Sequence, residues 1–120
     1  MSDLNRYIYE VEIITKSCVG FALKKDMLGS LKNEFYKKFD EELQQYYIFP
    51  SCFIFEVGLP GNIDKNIEKI ENVVMEDKTC KNHIEEIIVR VRDEHSRGKI
   101  EREQPIAVDV KKIKQQEIER

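Results

Sequence analysis

The chain contains no tryptophan, and only three of its 120 residues are proline and five are glycine. So little proline and glycine excludes a collagen-like protein and a low-complexity linker. Its 20 basic and 23 acidic residues leave a net charge of only -3, which argues against a strongly basic nucleic-acid wrapper and an acidic disordered tail. We expect one α/β domain over residues 1–120, with residues 112–120 as a fraying C-terminal tail.

Long apolar runs are also missing, since a membrane span needs roughly 20 such residues. The longest run, Tyr46 to Phe55, is interrupted by Pro50 and Ser51. The first residues carry charges instead of the apolar centre of a signal peptide, so none is expected. Three cysteines are too few for a secreted disulfide scaffold. We therefore expect reduced thiols, a cytoplasmic location and no membrane contact. The abundance of lysine, glutamate and isoleucine suits an AT-rich microbial or viral genome.

The clearest strand signal lies at Tyr7 to Thr15, where a largely apolar set of residues alternates with a mixed set of isoleucines and glutamates. This period of two predicts a strand with one buried face. Further along, the short apolar run from Ile48 to Leu59 predicts a strand covered on both faces, and Ile63 to Val74 predicts an amphipathic helix.

The first helix is predicted from apolar residues that recur every four positions from Leu23 to Tyr47. Each step of four overshoots a full turn by about 40°, so one straight helix cannot bury the whole series. We expect a bend or restart at Gly29-Ser30, with Ser30 as N-cap. Leu31 to Leu43 is then the packed part, while Tyr36 and Tyr46 lie at the margins of its apolar face.

The last third predicts an antiparallel hairpin that pairs Ile87 to Val91 with Ile106 to Val110. The polar stretch between them, Asp93 to Gln104, either extends both strands as a ribbon or forms a mobile loop. The element order is then β-α-β-α-β-β. We predict an α+β two-layer sandwich with a four-stranded mixed sheet and two helices on one face, ferredoxin-like in general shape. Such folds host unrelated functions and do not identify one.

The potential metal ligands and nucleophiles are sparse. Cys80-Lys-Asn-His83 supplies only two of the four ligands that a structural zinc needs, while Cys18 and Cys52 stand alone. We predict no metal site and no cofactor. Cys52 is interpreted as an inert thiol in an apolar strand, and Cys18 as the least implausible reactive one. A cysteine nucleophile needs a histidine beside it, and neither histidine of this chain lies in a distinctive turn. No catalytic residue is therefore assigned, and an enzyme is the less favoured class.

Two patterns near the C-terminus could act on nucleic acid. Asp109-Val-Lys111 matches the (Asp/Glu)-x-Lys element of Mg²⁺ nucleases, although a solvated hairpin face explains so short a triplet as well. The hairpin also carries a basic cluster whose charge is cancelled by acids in the same stretch. Phosphate binding by this cluster requires that Arg90 and Arg92 lie on a face apart from those acids. The cluster consists of Arg90, Arg92, Arg97, Lys99 and Arg102.

The remaining feature of the sequence is its aromatic residues, which could form a surface for protein partners. Five tyrosines and six phenylalanines are a large aromatic content, and Tyr36 and Tyr46 are the ones expected to be exposed. The favoured function is a small non-catalytic binding protein, such as an inhibitor, adaptor or assembly module, that contacts a protein partner or forms a homo-oligomer. The alternative is a nucleic-acid-binding or Mg-dependent nuclease-like protein. A small-ligand sensor is a third possibility, for which no residue is assigned.

Overall fold

The computed structural model describes residues 6–93 and 100–106. These residues form a sheet with two helices, in an order that begins β-α-β-β-α-β and ends with one further strand. The elements are β1 (Arg6–Thr15), α1 (Phe21–Phe39), β2 (Gln44–Ile48), β3 (Cys52–Pro60), α2 (Ile63–Glu76), β4 (Ile84–Asp93) and β5 (Ile100–Ile106).

The predicted first strand, β1, lies at the centre of the sheet, whose spatial order is β2-β3-β1-β4-β5. It pairs antiparallel with both neighbours, so Val11 is opposite Phe55 on one side and Val89 on the other. All three side chains are fully buried. Because side chains alternate along each strand, one face of all three strands builds the core.

Both helices cover this buried face of the sheet. Met27, Leu31 and Phe35 of α1 are fully buried, as are Ile70 and Val74 of α2. Their spacing of four residues places them on one side of each helix. The predicted α+β two-layer architecture with both helices on one face is therefore confirmed.

The sheet differs from the prediction in strand number and direction. Four mixed strands and the order β-α-β-α-β-β were expected, whereas the described residues form five strands whose neighbours are all antiparallel. The additional strand is β2, which the spacing of four had assigned to the first helix. A tight turn connects β2 to β3, with the Phe49 N–H donating to the Cys52 carbonyl at 2.8 Å. This hairpin reverses the chain and gives the first six elements the β-α-β-β-α-β order of ferredoxin-like folds.

The predicted restart of the first helix at Gly29-Ser30 is wrong, because α1 runs unbroken through it. The helix ends at Asp40, which adopts a left-handed conformation (φ 57°) and donates its N–H to the Tyr36 carbonyl. Ser30 caps no helix. Its hydroxyl donates to Asp77 Oδ2 at 2.6 Å and so fastens α1 to the connection between α2 and β4.

The antiparallel hairpin near the C-terminus is confirmed, but its second strand lies earlier than predicted. Ile87 pairs with Ile106 and Val91 with Arg102, so β5 occupies part of the polar stretch and ends where the predicted strand began. The shorter connection costs less loop-closure entropy than the predicted one. The predicted strand beyond Ile106 and the predicted tail at 112–120 lie outside the described residues.

The buried carboxylate of Asp77 gives a test of this packing. Besides the Ser30 hydroxyl, its Oδ1 accepts from the backbone N–H groups of Thr79 (2.9 Å) and Cys80 (3.1 Å). Asp77→Ala leaves these donors without their acceptor, so we expect the free energy of unfolding in urea to fall by about 2 kcal/mol. The matched change at exposed Asp26 should cost less than about 0.5 kcal/mol. Equal losses for the two variants would contradict this role.

Candidate functional site

One edge of the sheet is formed by β2, with the sequence Gln-Gln-Tyr-Tyr-Ile and no charged residue. Within the described residues, no strand lies beyond it. The Phe49 N–H donates to the Cys52 carbonyl of β3, and Tyr47 pairs with Ile54. The backbone N–H and C=O groups of Tyr47 therefore point towards β3. Since these directions alternate along a strand, the N–H and C=O groups of Tyr46 and Ile48 point outward. The edge therefore presents hydrogen-bonding groups to a further strand.

Aromatic side chains flank this edge on both faces of the sheet. Tyr47 lies on the open face, the one without helices, because its partner Ile54 does; its ring centroid is 6.5 Å from that of Phe49. Ile48 pairs with core residue Phe53, so by alternation Tyr46 lies on the helix side. There Lys32 Nζ is 5.0 Å from the centre of the Tyr46 ring, within range of a cation–π contact.

The helix side of the edge continues into a shallow groove of about 270 Å³. Lys32 and Tyr36 of α1 line one side, and Glu42 and Leu43, which precede β2, line the other. The groove therefore joins an aromatic ring to one positive and one negative side chain. We call this groove and the flanked strand the aromatic edge; its four aromatic residues are Tyr36, Tyr46, Tyr47 and Phe49.

Tyr36 and Tyr46, the two predicted contact residues, are 56% and 46% exposed. Lys32 contacts Tyr46 and lines the groove with Tyr36, which brings the two tyrosines to one surface. Tyr47 (56% exposed) and Phe49 (45% exposed) were missed, because the sequence assigned them to a helix and to a strand covered on both faces. Their signal was the Phe49-Pro50-Ser51 turn, which separates two short strands.

The open face carries an ion-pair network across three strands. Arg90 lies opposite Glu10, and its Nη1 donates to Glu10 Oε2 at 3.0 Å and to Glu12 Oε1 at 3.1 Å. Arg92 Nη2 donates to Glu56 Oε2 at 2.6 Å. Both arginines thus share a face with acids that pair with them. This arrangement does not favour their binding to phosphate, which needs an excess of positive charge.

Nucleic-acid binding by the hairpin stays a prediction. Arg102 belongs to β5, opposite Val91, whereas Arg97 and Lys99 lie outside the described residues. The predicted nuclease element at Asp109 and Lys111 lies outside them as well.

The three thiols differ in exposure. Burial, and after it Asp77, raises the pKa of Cys80, which donates to the Met27 carbonyl at 3.7 Å. Burial, and after it Glu12, also raises the pKa of Cys52, while Cys18 is exposed. Raised pKa values keep Cys52 and Cys80 as thiols, so they are poor nucleophiles at neutral pH. Across residues 6–93 and 100–106, no three His, Cys, Asp or Glu side chains gather as metal ligands.

A second cleft, of about 340 Å³, lies between α1 and the end of α2. Its buried carboxylate is Asp77, which already accepts from the Ser30 hydroxyl and two backbone N–H groups. The buried carboxylate at this cleft is thus occupied by contacts that hold the fold together, which makes the aromatic edge the stronger candidate site.

Three comparisons, with protein-family models, with curated proteins and with solved structures, find no significant match to this chain. Among the described residues, neither helix has the length and apolar character needed to cross a membrane.

The open-face network predicts a structural role for Arg90. Arg90→Ala leaves Glu10 and Glu12 without a shared donor, so we expect the free energy of unfolding to fall by about 1 kcal/mol at low salt, and by less at high salt. Lys37→Ala removes the same charge from an exposed pair with Glu34 at 3.9 Å and should change stability little. Urea unfolding at two salt concentrations checks this. An effect of Arg90→Ala no larger than that of Lys37→Ala would contradict it.

Proposed function

We propose that this protein is a small non-catalytic cytoplasmic binding protein that acts through protein–protein contacts at the aromatic edge. The observation that carries the proposal is an uncharged edge strand flanked by exposed aromatic rings on both faces. A partner strand adds backbone hydrogen bonds at such an edge, while alternate side chains contact the two faces. Inhibitors, adaptors and assembly modules all use contacts of this kind.

A comparison of the two sheet edges supports this choice of surface. Free edge strands commonly carry charged residues or proline, which discourage pairing with other chains. The sequence of β5 follows this rule, with Glu101, Arg102, Glu103 and Pro105 among its seven residues. β2 has neither a charge nor a proline. It therefore lacks the charges and the proline that protect β5, as expected of a strand that is covered in the working state.

The residue types of the aromatic edge also suit protein recognition. Tyrosine is enriched among residues that contribute most to binding, because its ring buries a large area while its hydroxyl keeps a polar contact. Tyr36, Tyr46 and Tyr47 supply three such rings, and Lys32 and Glu42 give the groove polar margins. This combination of apolar centre and polar rim is typical of protein interfaces.

A cytoplasmic location is the remaining part of the proposal. Cys18, Cys52 and Cys80 are all free, the state that a reducing compartment maintains.

The test is affinity capture of proteins from cells that make this protein, using the wild type, Tyr46→Lys and Phe21→Lys as baits. Phe21 is the matched control, since it is 64% exposed but lies at the opposite end of α1 from Tyr36. We expect Tyr46→Lys to lower recovery of specific partners, further copies of the chain included, by about ten-fold because it puts a charge into the interface. Phe21→Lys should not.

The thermal unfolding of both variants, followed by circular dichroism, shows whether they keep the fold. Wild-type bait that recovers neither another protein nor a second copy of itself would contradict the proposal. If both variants keep the fold and lose partner recovery equally, the choice of the aromatic edge as the contact surface is contradicted.

A further inference from the structure

The free edge of β2 is complementary to itself. Tyr46 and Ile48 point their N–H and C=O groups outward, and an antiparallel neighbour must offer the same pattern in reverse. A two-fold axis perpendicular to the sheet supplies it from an identical strand, and keeps the helices of both copies on one side. The edge therefore fits a second copy of this chain without any change in backbone direction.

The backbone of β2 also limits the possible register. Gln45 has a positive φ of 50°, and the pairing with β3 shifts between Gln44 and Tyr47. The backbone of β2 is therefore regular and extended only from Tyr46 onward, and Pro50 has no N–H to donate. The axis that pairs Tyr46 with Ile48 of the second copy uses the outward groups of both residues. It passes midway between Tyr47 and Tyr47 of the second copy, which therefore lie directly opposite each other.

Charge favours a second copy over a charged peptide. A two-fold axis brings each residue near its own copy, so a charged strand would repel itself. No residue from Gln44 to Pro50 is charged, and the two charged side chains that line the adjoining groove, Lys32 and Glu42, are of opposite sign. In this register the Tyr47 rings meet on the open face, while Tyr46 lies beside Ile48 of the second copy on the helix side.

We infer that the occupant of the aromatic edge is β2 of a second copy, so that two sheets join into one continuous antiparallel sheet around an axis at Tyr47. The inference rests on the proposed function and names its partner. It makes the protein a homodimer in which the two Tyr47 rings cover each other and Tyr46 packs beside Ile48 of the second copy.

A disulfide placed on the axis tests the register in the full-length chain. Directly opposite residues that are not hydrogen-bonded to each other have Cα atoms about 4.5 Å apart, within the range that a disulfide spans. In a Cys18→Ser background, which removes the exposed thiol, Tyr47→Cys should form a covalent dimer under mild oxidation. Gln44→Cys, also exposed on β2 but off the axis, is the matched control and should remain monomeric on a denaturing gel.

Sedimentation of the reduced proteins tests the dimer itself. We expect the wild type and Phe21→Lys to sediment as dimers, and Tyr47→Lys, which puts two positive charges opposite each other, to raise the dimer dissociation constant by about ten-fold or more. Circular dichroism of Tyr47→Lys checks that the variant keeps the fold. If it does not, Tyr47→Ser takes its place in the same sedimentation experiment.

Each other outcome overturns the inference. A monomeric wild type whose Tyr46-dependent capture of a different protein persists would reject the second copy but leave the proposed function standing. A monomer that captures nothing would reject both. A dimer that persists in folded Tyr47 variants, or equal cross-linking through Gln44→Cys, would place the interface elsewhere.

Discussion

The pairing of β1 with a strand on each side is the constraint on which the rest of the structure depends. Val11 lies between Phe55 and Val89, and this register decides which side chains face the helices. A shift by one residue would turn Glu10 and Glu12 into the core and Val11 out of it. The cost of burying those carboxylates makes the register unique. The same alternation places both glutamates on the open face, where Arg90 donates to each of them.

Once the centre of the sheet is fixed, the proposed function depends on what the two described edges of the sheet present. Among the described strands, the last one on the side of β4 is β5, which is rich in charge. The last described strand on the side of β3 is β2, which is short, uncharged and flanked by aromatic rings. On the open face, the arginine and glutamate side chains are largely paired with one another. Of the described surfaces, the aromatic edge therefore has the greatest capacity for contacts with a partner. The physical basis of the proposal is this difference between the two edges.

The sequence was most informative where a period extends over a whole element. β1 and α2 were predicted almost to their ends, since Tyr7 to Thr15 alternates and Ile63 to Val74 follows one helical stripe. Tyr36 is exposed at the margin of the helix stripe, where the sequence placed it, whereas Tyr46 is exposed on β2 and not on the helix to which the sequence assigned it. β2 was not predictable in this way. Leu43 and Tyr47 continue the spacing of four, yet the helix ends at Asp40, and so short a strand forms through pairing with β3, a contact that local pattern does not encode.

Amide hydrogen exchange at Tyr46 and Ile48, measured as the protein concentration is raised, tests the central claim most directly. Both N–H groups point out of the sheet, so the account predicts rapid exchange in dilute solution and protection at high concentration, as the copies pair. The N–H of Tyr47 points towards β3 and should change much less. Rapid exchange of Tyr46 and Ile48 at every concentration, with no protection from any partner, would contradict the account.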